Sequence, residues 1–335
     1  MVREWDPATA SAAELDAVIG TINQVLAVDL PEDPQWVPDR FREYLAVTMP
    51  DQRRVTWVAL GSPAGEIVGH ATMLLMDDIG VLELVVRPKS RRHGIGRALL
   101  GAATRLASEQ GFSSIGVEVV GGTPAVEFFE AHGFRCAFVE VRNVLDLSSV
   151  DWLRLGEMAR GIGSGYRIEY HPGGPPESLF GTYAQAKEAV RETELGDLEL
   201  RPSSQDPERL RVSLRTLHAR GLKPYIVLAV HEQSGSVAGL TEVVVPAQRP
   251  TRADQYDTIV LPSHRGYGIG RALKARMLFE LRAAEPQLLD VQTWNAMENE
   301  PMLKVNTELG FQPDRQWREY EVDVAELAAR LDLAG

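Results

Sequence analysis

The sequence predicts an α+β fold of mixed α/β character, present twice in tandem. Each copy is read as a central, mostly antiparallel sheet flanked by helices. Three observations predict it. The hexapeptide Gly-Ile-Gly-Arg-Ala-Leu occurs at Gly94–Leu99 and again at Gly268–Leu273, and each copy follows an arginine, Arg91 or Arg265, 174 positions apart. Around each hexapeptide, apolar runs of strand and helix period come in the same order. Several neighbouring strand-like runs are joined by connections too short for a crossover, so they pair antiparallel.

In the first copy, Val2–Trp5 reads as extended and Ala13–Val28 as a helix, with Leu15, Ile19, Ile22, Val25 and Leu26 on one face. Ser11 is placed to cap that helix, with Glu14 as its capping-box partner. Pro31, Pro34 and Pro38 punctuate, and Asp39–Val47 reads as a short helix. Strand-like runs follow at Val55–Leu60, Ile67–Met76 and Ile79–Val86. After the turn Arg87–His93, the positions Leu99, Ala102, Ala103, Leu106 and Ala107 make a helical stripe that Gly111 ends. Ile115–Val120 is a strand, Pro124–His132 a helix, and Phe134–Leu147 extended.

The second copy repeats the order. Tyr166–Tyr170 is extended, and Leu179–Val190 and Pro207–Arg220 are helical. Strands follow at Ile226–His231, Val237–Val245 and Tyr256–Leu261, then the turn and the helix Arg271–Ala284. Leu288–Thr293 is a strand and Pro301–Leu309 a helix; Gly310-Phe311 then mirrors Gly133-Phe134 at a spacing of 177. The repeat gives an N-terminal domain over 1–150, a glycine-containing linker over 151–164 and a C-terminal domain over 165–335.

Bulk properties bound the function. The chain has 335 residues, enough for two ordinary domains, with 44% apolar and 24% charged residues. A formal charge of −12 opposes non-specific binding to nucleic acid or an anionic membrane and suits a cationic substrate. Cys136 is the only cysteine, which excludes an internal disulfide and a cysteine metal site, and it lies in an alternating run. His218, His231 and His264 show no metal-ligand spacing. No apolar stretch reaches the ~18 residues that span a bilayer, and Met1–Ala10 lacks an apolar signal core. A cytoplasmic location is expected.

A glycine turn between a strand and a helix is an anion site, because the first backbone N–H groups of a helix have no partner within it and its dipole favours negative charge. Gly94, Gly96, Gly268 and Gly270 keep side chains away from that backbone, and Arg91, Arg92, Arg97, Arg265 and Arg271 add positive charge. His93, within the first turn, either touches the anion or is simply solvated. Neither turn carries the Gly-Lys-Ser/Thr of a Walker loop. The dinucleotide fingerprint fails as well, since Leu99 and Leu273 stand where it needs a small residue.

On these residues the chain resembles the GNAT family, the GCN5-related N-acetyltransferases, whose pyrophosphate loop reads Arg/Gln-x-x-Gly-x-Gly. The likeness extends to Leu84-Val85-Val86-Arg87-Pro88 and Phe128–Phe134, and in the second copy to Thr258-Ile259-Val260-Leu261-Pro262 and Val305–Phe311. It implies acetyl-CoA, or another acyl-CoA, with its pyrophosphate on Arg91, Arg92, His93, Gly94, Ile95, Gly96 and Arg97, on Arg265, Gly266, Tyr267, Gly268, Ile269, Gly270 and Arg271, or on both. The strand backbones of Leu84, Val85 and Val86, and of Thr258, Ile259 and Val260, would face the pantetheine and thioester.

The resemblance also implies acyl transfer to a small amine. An alkyl ammonium of pKa ~10.4 is neutral in roughly one molecule in a thousand at pH 7, so a base or water relay must take its proton. Glu83 and Asp257 hold equivalent positions, eight residues before each loop arginine, and are the candidate bases; the alternative is that both only sit on a polar strand face. In many family members a tyrosine four residues before Gly-Phe protonates the thiolate. Here Phe129 and Asn306 take that place, and an amide donates hydrogen bonds but transfers no proton readily. Asn299 matches a cofactor-binding asparagine of the family, or caps the helix before Pro301; its counterpart is Gly122. The second copy therefore keeps more site chemistry, in Asp257, Asn299 and Asn306, and is expected to be the catalytic one. A mycothiol-synthase-like action on a cysteinyl sugar amine and a non-catalytic acetyl-CoA-binding sensor are the competing readings. Both a monomer and a homodimer fit.

Overall fold

The computed structural model describes residues 1–37, 41, 44–45, 47–48, 53–61, 65–76, 78–188 and 206–333. Most of the expected helix Asp39–Val47 lies outside them. The described chain forms two compact units: unit 1 gathers Met1–Val139 with Gln316–Gly335, and unit 2 holds the described residues between Glu140 and Arg315.

Unit 1 contains β1 (Val2–Glu4), α1 (Ala12–Asp29), β2 (Arg53–Leu60), β3 (Ile67–Met76), β4 (Ile79–Val86), α2 (Ile95–Gln110), β5 (Ser114–Val120) and α3 (Pro124–Ala131). The strand β6 (Arg135–Asp146) leads out of it into unit 2. The unit 1 sheet runs β1-β2-β3-β4-β5 and is completed by β12 (Gln312–Asp323), from the end of the chain. Among the described residues of this sheet, only β4 and β5 pair parallel. The expected capping box forms, with Ser11 and Glu14 satisfying each other's backbone N–H groups at the start of α1. Leu15, Val18 and Ile19 of α1 pack on Val58 and Ile67 on one sheet face, while Leu99, Leu100 and Ala103 of α2 pack on Met73, Leu82 and Ile115 on the other.

Unit 2 contains the β6 residues from Glu140 onward, α4 (Trp152–Arg160), β7 (Tyr166–Pro172), α5 (Glu177–Glu188), α6 (Pro207–Ala219), β8 (Leu222–His231), β9 (Val237–Pro246), β10 (Arg252–Val260), α7 (Ile269–Ala284), β11 (Asp290–Ala296) and α8 (Glu300–Leu309). Its sheet runs β7-β8-β9-β10-β11-β6, with β10 and β11 parallel. A core with α5 and α6 covers one face and a core with α4 and α7 the other. The helix α9 (Val324–Arg330) follows β12 and packs on unit 1 through Val324 and Leu327.

The compact units therefore cut the chain differently from the boundaries 1–150, 151–164 and 165–335. Sequence repeats follow chain order, whereas compactness follows strand pairing. The last strand of the second repeat pairs with β5, from Trp317↔Val120 to Asp323↔Ser114. The last strand of the first repeat pairs with β11, from Asp290↔Asp146 to Ala296↔Glu140. The segment read as a linker also holds α4. Asp151 caps it by accepting from the N–H groups of Leu153 and Arg154, and Trp152 packs edge-on against Phe279 of α7 at 5.6 Å.

His70 on β3 gives unit 1 an acid sensitivity. It is buried with its edge toward Trp5, and burial, helped by the Arg54 charge, pushes its pKa down to about 4. The unfolded chain binds this proton near pH 6.5 and the folded chain only near pH 4. The contribution to stability is therefore complete above about pH 6.5 and is lost as pH falls toward 4, about 3 kcal/mol in all. Urea unfolding of unit 1 at neutral and acid pH is expected to show this loss, and His70→Leu to reduce it.

Candidate active site

The two glycine turns share one backbone shape. Each begins with a short 3₁₀ turn, Pro88–Ser90 or Pro262–His264, and then takes left-handed φ at two places: Arg92 at 65° and Gly94 at 78°, Gly266 at 86° and Gly268 at 73°. Helices α2 and α7 start directly after, at Ile95 and Ile269, so their first N–H groups face outward from a wide turn. Arg92 holds a conformation that costs a side-chain-bearing residue roughly 1 kcal/mol or more. A Cβ on Gly94 would meet nothing within 4 Å, which leaves open space above the N-terminus of α2. Gly268 differs, since a Cβ there would stand 2.7 Å from the Gly161 carbonyl. The segment after α4 braces the second turn, with the Gly163 N–H donating to the Tyr267 carbonyl at 3.0 Å. Gly96 is small for another reason than anion clearance, because a Cβ would press on the Phe128 ring at 3.0 Å.

The arginines divide by role. Arg91 donates from Nε to the Val86 carbonyl at 3.1 Å and forks onto Asp29, at 2.9 and 2.5 Å, tying the loop to β4 and α1. Arg265 repeats the bond to the strand end, at 3.3 Å to the Val260 carbonyl, and its side chain is otherwise exposed. Arg97 reaches the exposed Asp332 at 3.4 Å and Arg271 reaches Glu308 at 3.3 Å. Arg92 and His93 are exposed, and His93 Nδ1 donates to the Arg91 carbonyl at 2.7 Å. Exposed guanidinium groups beside unpaired helix N–H groups are what a diphosphate needs. The first turn, open above the α2 N-terminus, thus fits the diphosphate of an acyl-CoA, and the second offers the same backbone shape and the exposed Arg265 with the Gly161 carbonyl beside it.

Next to each turn the parallel strands separate. In unit 1 the pairing of β4 with β5 ends at Val81↔Gly116, and in unit 2 that of β10 with β11 ends at Gln255↔Thr293. Leu84, Val85 and Val86, and likewise Thr258, Ile259 and Val260, keep their antiparallel partners on one side and run beyond the parallel ladder on the other. The strands differ in one respect. β4 pairs with β3 without a break, whereas β10 carries a bulge against β9 between Gln255 and Thr258. One extra residue lies on β10, so Arg252 to Arg265 spans one position more than its counterpart Ile79 to Arg91. A bulge re-aims the side chains that follow it. Gln255 and Thr258 consequently share one side with Thr241, while Asp257 faces the α5 side with Glu242, as Glu83 lies opposite the α2 face in unit 1.

Asp257 forms an ion pair with Lys187 of α5, and the same ammonium bonds Glu242 at 2.7 Å. Tyr183 donates to Glu242 at 2.5 Å. Burial would lower the Lys187 pKa, but Glu242 and then Asp257 outweigh it and raise it above the ordinary lysine value. Asp257 keeps a third of its side chain exposed, at 33%. Glu83 has different company. It is exposed on β4 near Glu118 of β5, whose pKa is pushed up to about 8 by loss of solvent and by the charges of Glu319 and Glu83, although part of its side chain still reaches water. Glu118 and Glu319 are direct cross-strand partners.

Asn306 is only 1% exposed, and its carboxamide is engaged inside the unit, accepting from Lys274 and donating to Asn295. Its counterpart Phe129 packs between Phe128 and Phe134 in the unit 1 core. Asn299 caps α8, its Oδ1 accepting from the Met302 N–H at 3.3 Å. Sequence spacing did not reveal Lys187, Glu242, Glu118, Glu319, Lys274 or Asn295. A signal existed for Lys274 alone, as a lysine at the place of Leu100 on an otherwise apolar helix stripe.

Comparison with known proteins agrees with this geometry. The model of the Acetyltransferase (GNAT) family matches residues 21–134. A mycothiol acetyltransferase of Sanguibacter keddieii is 27% identical over 241 residues, covering 68% of this chain and 70% of that protein. One of Frankia casuarinae is 28% identical over 269 residues, covering 74% and 70%. Among solved structures, a tandem GNAT protein from the clavulanic acid biosynthesis pathway superposes with a TM-score of 0.79 at 25% identity, covering 97% of this chain and 98% of that one. A GCN5-related N-acetyltransferase from Sphaerobacter thermophilus shares the fold at a TM-score of 0.64 and 16% identity, covering 97% and 95%. Residues 21–134 thus carry an acetyltransferase (GNAT) domain, and over its length the chain is similar to a tandem GNAT protein.

Proposed function

We propose that the chain is an acyl-CoA-dependent N-acetyltransferase acting on a small amine, with turnover in unit 2. The observation that carries the assignment to unit 2 is the company of Asp257, which pairs with the Lys187 ammonium of α5, whereas Glu83 lies near the carboxylates Glu118 and Glu319. Acetyl-CoA, when bound, supplies an activated thioester. The first turn of α7, with Arg265 and Arg271, holds the pyrophosphate, the Thr258–Val260 backbone holds the pantetheine arm, and Asn299 stands at the mouth as cap and contact. Asp257 takes the ammonium proton, directly or through water, while Lys187 fixes its carboxylate. With a thioester bound, the amine nitrogen would form the new C–N bond as the C–S bond breaks, its second proton passing to water and the bonding pair leaving on sulfur, and a backbone N–H at the parted strands would be available to the carbonyl oxygen. Unit 1, with an equivalent turn but with Glu83 near other carboxylates, binds cofactor with little turnover.

The charge of −12 suits a cationic acceptor. The mycothiol acetyltransferases among the relatives are in line with one specific class, the cysteinyl sugar amine that the family resemblance implies. Thiol release from acetyl-CoA across a panel of small amines, cysteinyl amino sugars included, tests the proposal. Turnover with at least one amine is expected. Tight cofactor binding with no amine acetylated overturns it in favour of a binding protein.

A further inference from the structure

One position in the fold is built twice, once from carbon and once from charge. In unit 1, Leu100, Val119 and Phe129 are 0%, 2% and 4% exposed and belong to the main core. The equivalent residues of unit 2 are Lys274, Asn295 and Asn306, as the two glycine turns, the parallel strand registers and the two Gly-Phe pairs align them. Lys274 is 1% exposed, and among the described residues no carboxylate pairs with it. Its Nζ stands 5.0 Å over the Phe311 ring and donates to Asn306 Oδ1 at 2.6 Å.

The lysine sets the direction of everything beyond it. An ammonium has only donors, so the Asn306 oxygen must face it. The Asn306 Nδ2 then donates to Asn295 Oδ1, also at 2.6 Å. The Asn295 amide nitrogen is left as the outward end of the chain, on a half-buried residue two places past the last β10–β11 pair. Every bond runs the same way, from the cation toward the parted strands, and each polarises the next. Burial opposes the charge, pushing the Lys274 pKa down to about 7. A buried cation is costly to a fold, and apolar replacements often stabilise. Unit 1 shows that this core closes with apolar side chains alone.

We propose that Lys274 is a positioning residue for acyl transfer in unit 2: through Asn306 it orients and polarises the Asn295 amide, which donates a hydrogen bond to the sulfur as the acyl–sulfur bond breaks. The proposal rests on the reading of unit 2 as the acyl-CoA site. The bonding pair stays on sulfur as a thiolate, Asn295 keeps its proton, and the thiolate is protonated by water on release.

The test uses the full chain carrying Gly94→Glu, which sets a carboxylate in the first turn and leaves the second as the site under observation. Calorimetry compares CoA with desulfo-CoA, which lacks the sulfur, at about pH 6, where Lys274 carries its charge. CoA is expected to bind roughly three- to tenfold tighter, the size of one ordinary hydrogen bond. Lys274→Met and Asn295→Ala are each expected to erase that preference while leaving desulfo-CoA affinity unchanged. The unfolding midpoint of Lys274→Met is expected to stay equal or rise, which a merely structural lysine would not allow. A preference for CoA that survives both substitutions overturns the proposal. Failure of either ligand to bind the parent chain overturns the acyl-CoA reading of unit 2, and this proposal with it.

Discussion

Asp257→Asn is expected to lower acyl-transfer turnover by roughly 10²–10⁴-fold, the usual contribution of a positioned base, while Glu83→Gln changes it little. The substitution isolates proton transfer. Asparagine keeps an oxygen for the Lys187 ammonium but accepts no proton from the substrate. Lys187 also retains Glu242 at 2.7 Å, so its charge stays compensated. The pair with Asp257 is partly exposed, and its loss costs at most about 1 kcal/mol. The affinity for acetyl-CoA is expected to hold, because the turn and the strand edge are untouched. Steady-state thiol release, together with calorimetric cofactor binding and an unfolding curve, separates these quantities. A dead Glu83→Gln enzyme beside an active Asp257→Asn enzyme would move the chemistry to unit 1, where Glu118 and Glu319 would be its company.

Where local physics governs, the sequence reading and the structure agree closely. Ile67–Met76 and Ile79–Val86 are strands over the expected residues, because a continuous apolar run with a tight connection leaves little choice of register. The two glycine turns likewise follow from local spacing, and share their backbone angles. What escaped reading depends on distant partners. The β10 bulge is one residue, unmarked by glycine, and exists only relative to β9. Asp257 is read as a candidate base from its offset to Arg265, yet its ion pair comes from α5, 70 positions upstream. α4 lies in the stretch read as linker, with Gly156 interrupting its short apolar face, and docking on α7 stabilises it. The Arg91 guanidinium, expected on the anion, is largely engaged by Asp29, a residue that no motif includes.

Ending the chain after Arg315 is expected to unfold unit 1, although the deleted residues belong to the second sequence repeat. They supply a whole strand of its sheet, opposite β5, and the helix that follows. Tyr320, Val322, Val324, Leu327 and Leu331 are each 6% exposed or less in the core with α2. Burying each such side chain contributes roughly 1.5–3 kcal/mol, so their joint loss is on the order of 10 kcal/mol, comparable to the stability of a whole domain. Tyr320 also donates to Glu130 at 2.8 Å, a bond that holds α3. Hydrogen exchange is the measurement that localises the effect. Amides of β3, β4 and β5 are expected to lose protection, while those of β8, β9 and β10 keep theirs. The single substitution Leu327→Ala should reproduce the pattern at smaller size, about 2–5 kcal/mol. Retained protection in β3–β5 would show that β12 is dispensable and that the repeat boundary is the true domain boundary. The outcome decides how the division of labour between the units can be studied at all. If β12 is required, halves divided at 151–164 each lack a strand, and a cofactor assay on either half reports unfolding instead of binding. Substitutions within the intact chain, at Asp257 and Glu83, are then the route to deciding which unit turns over.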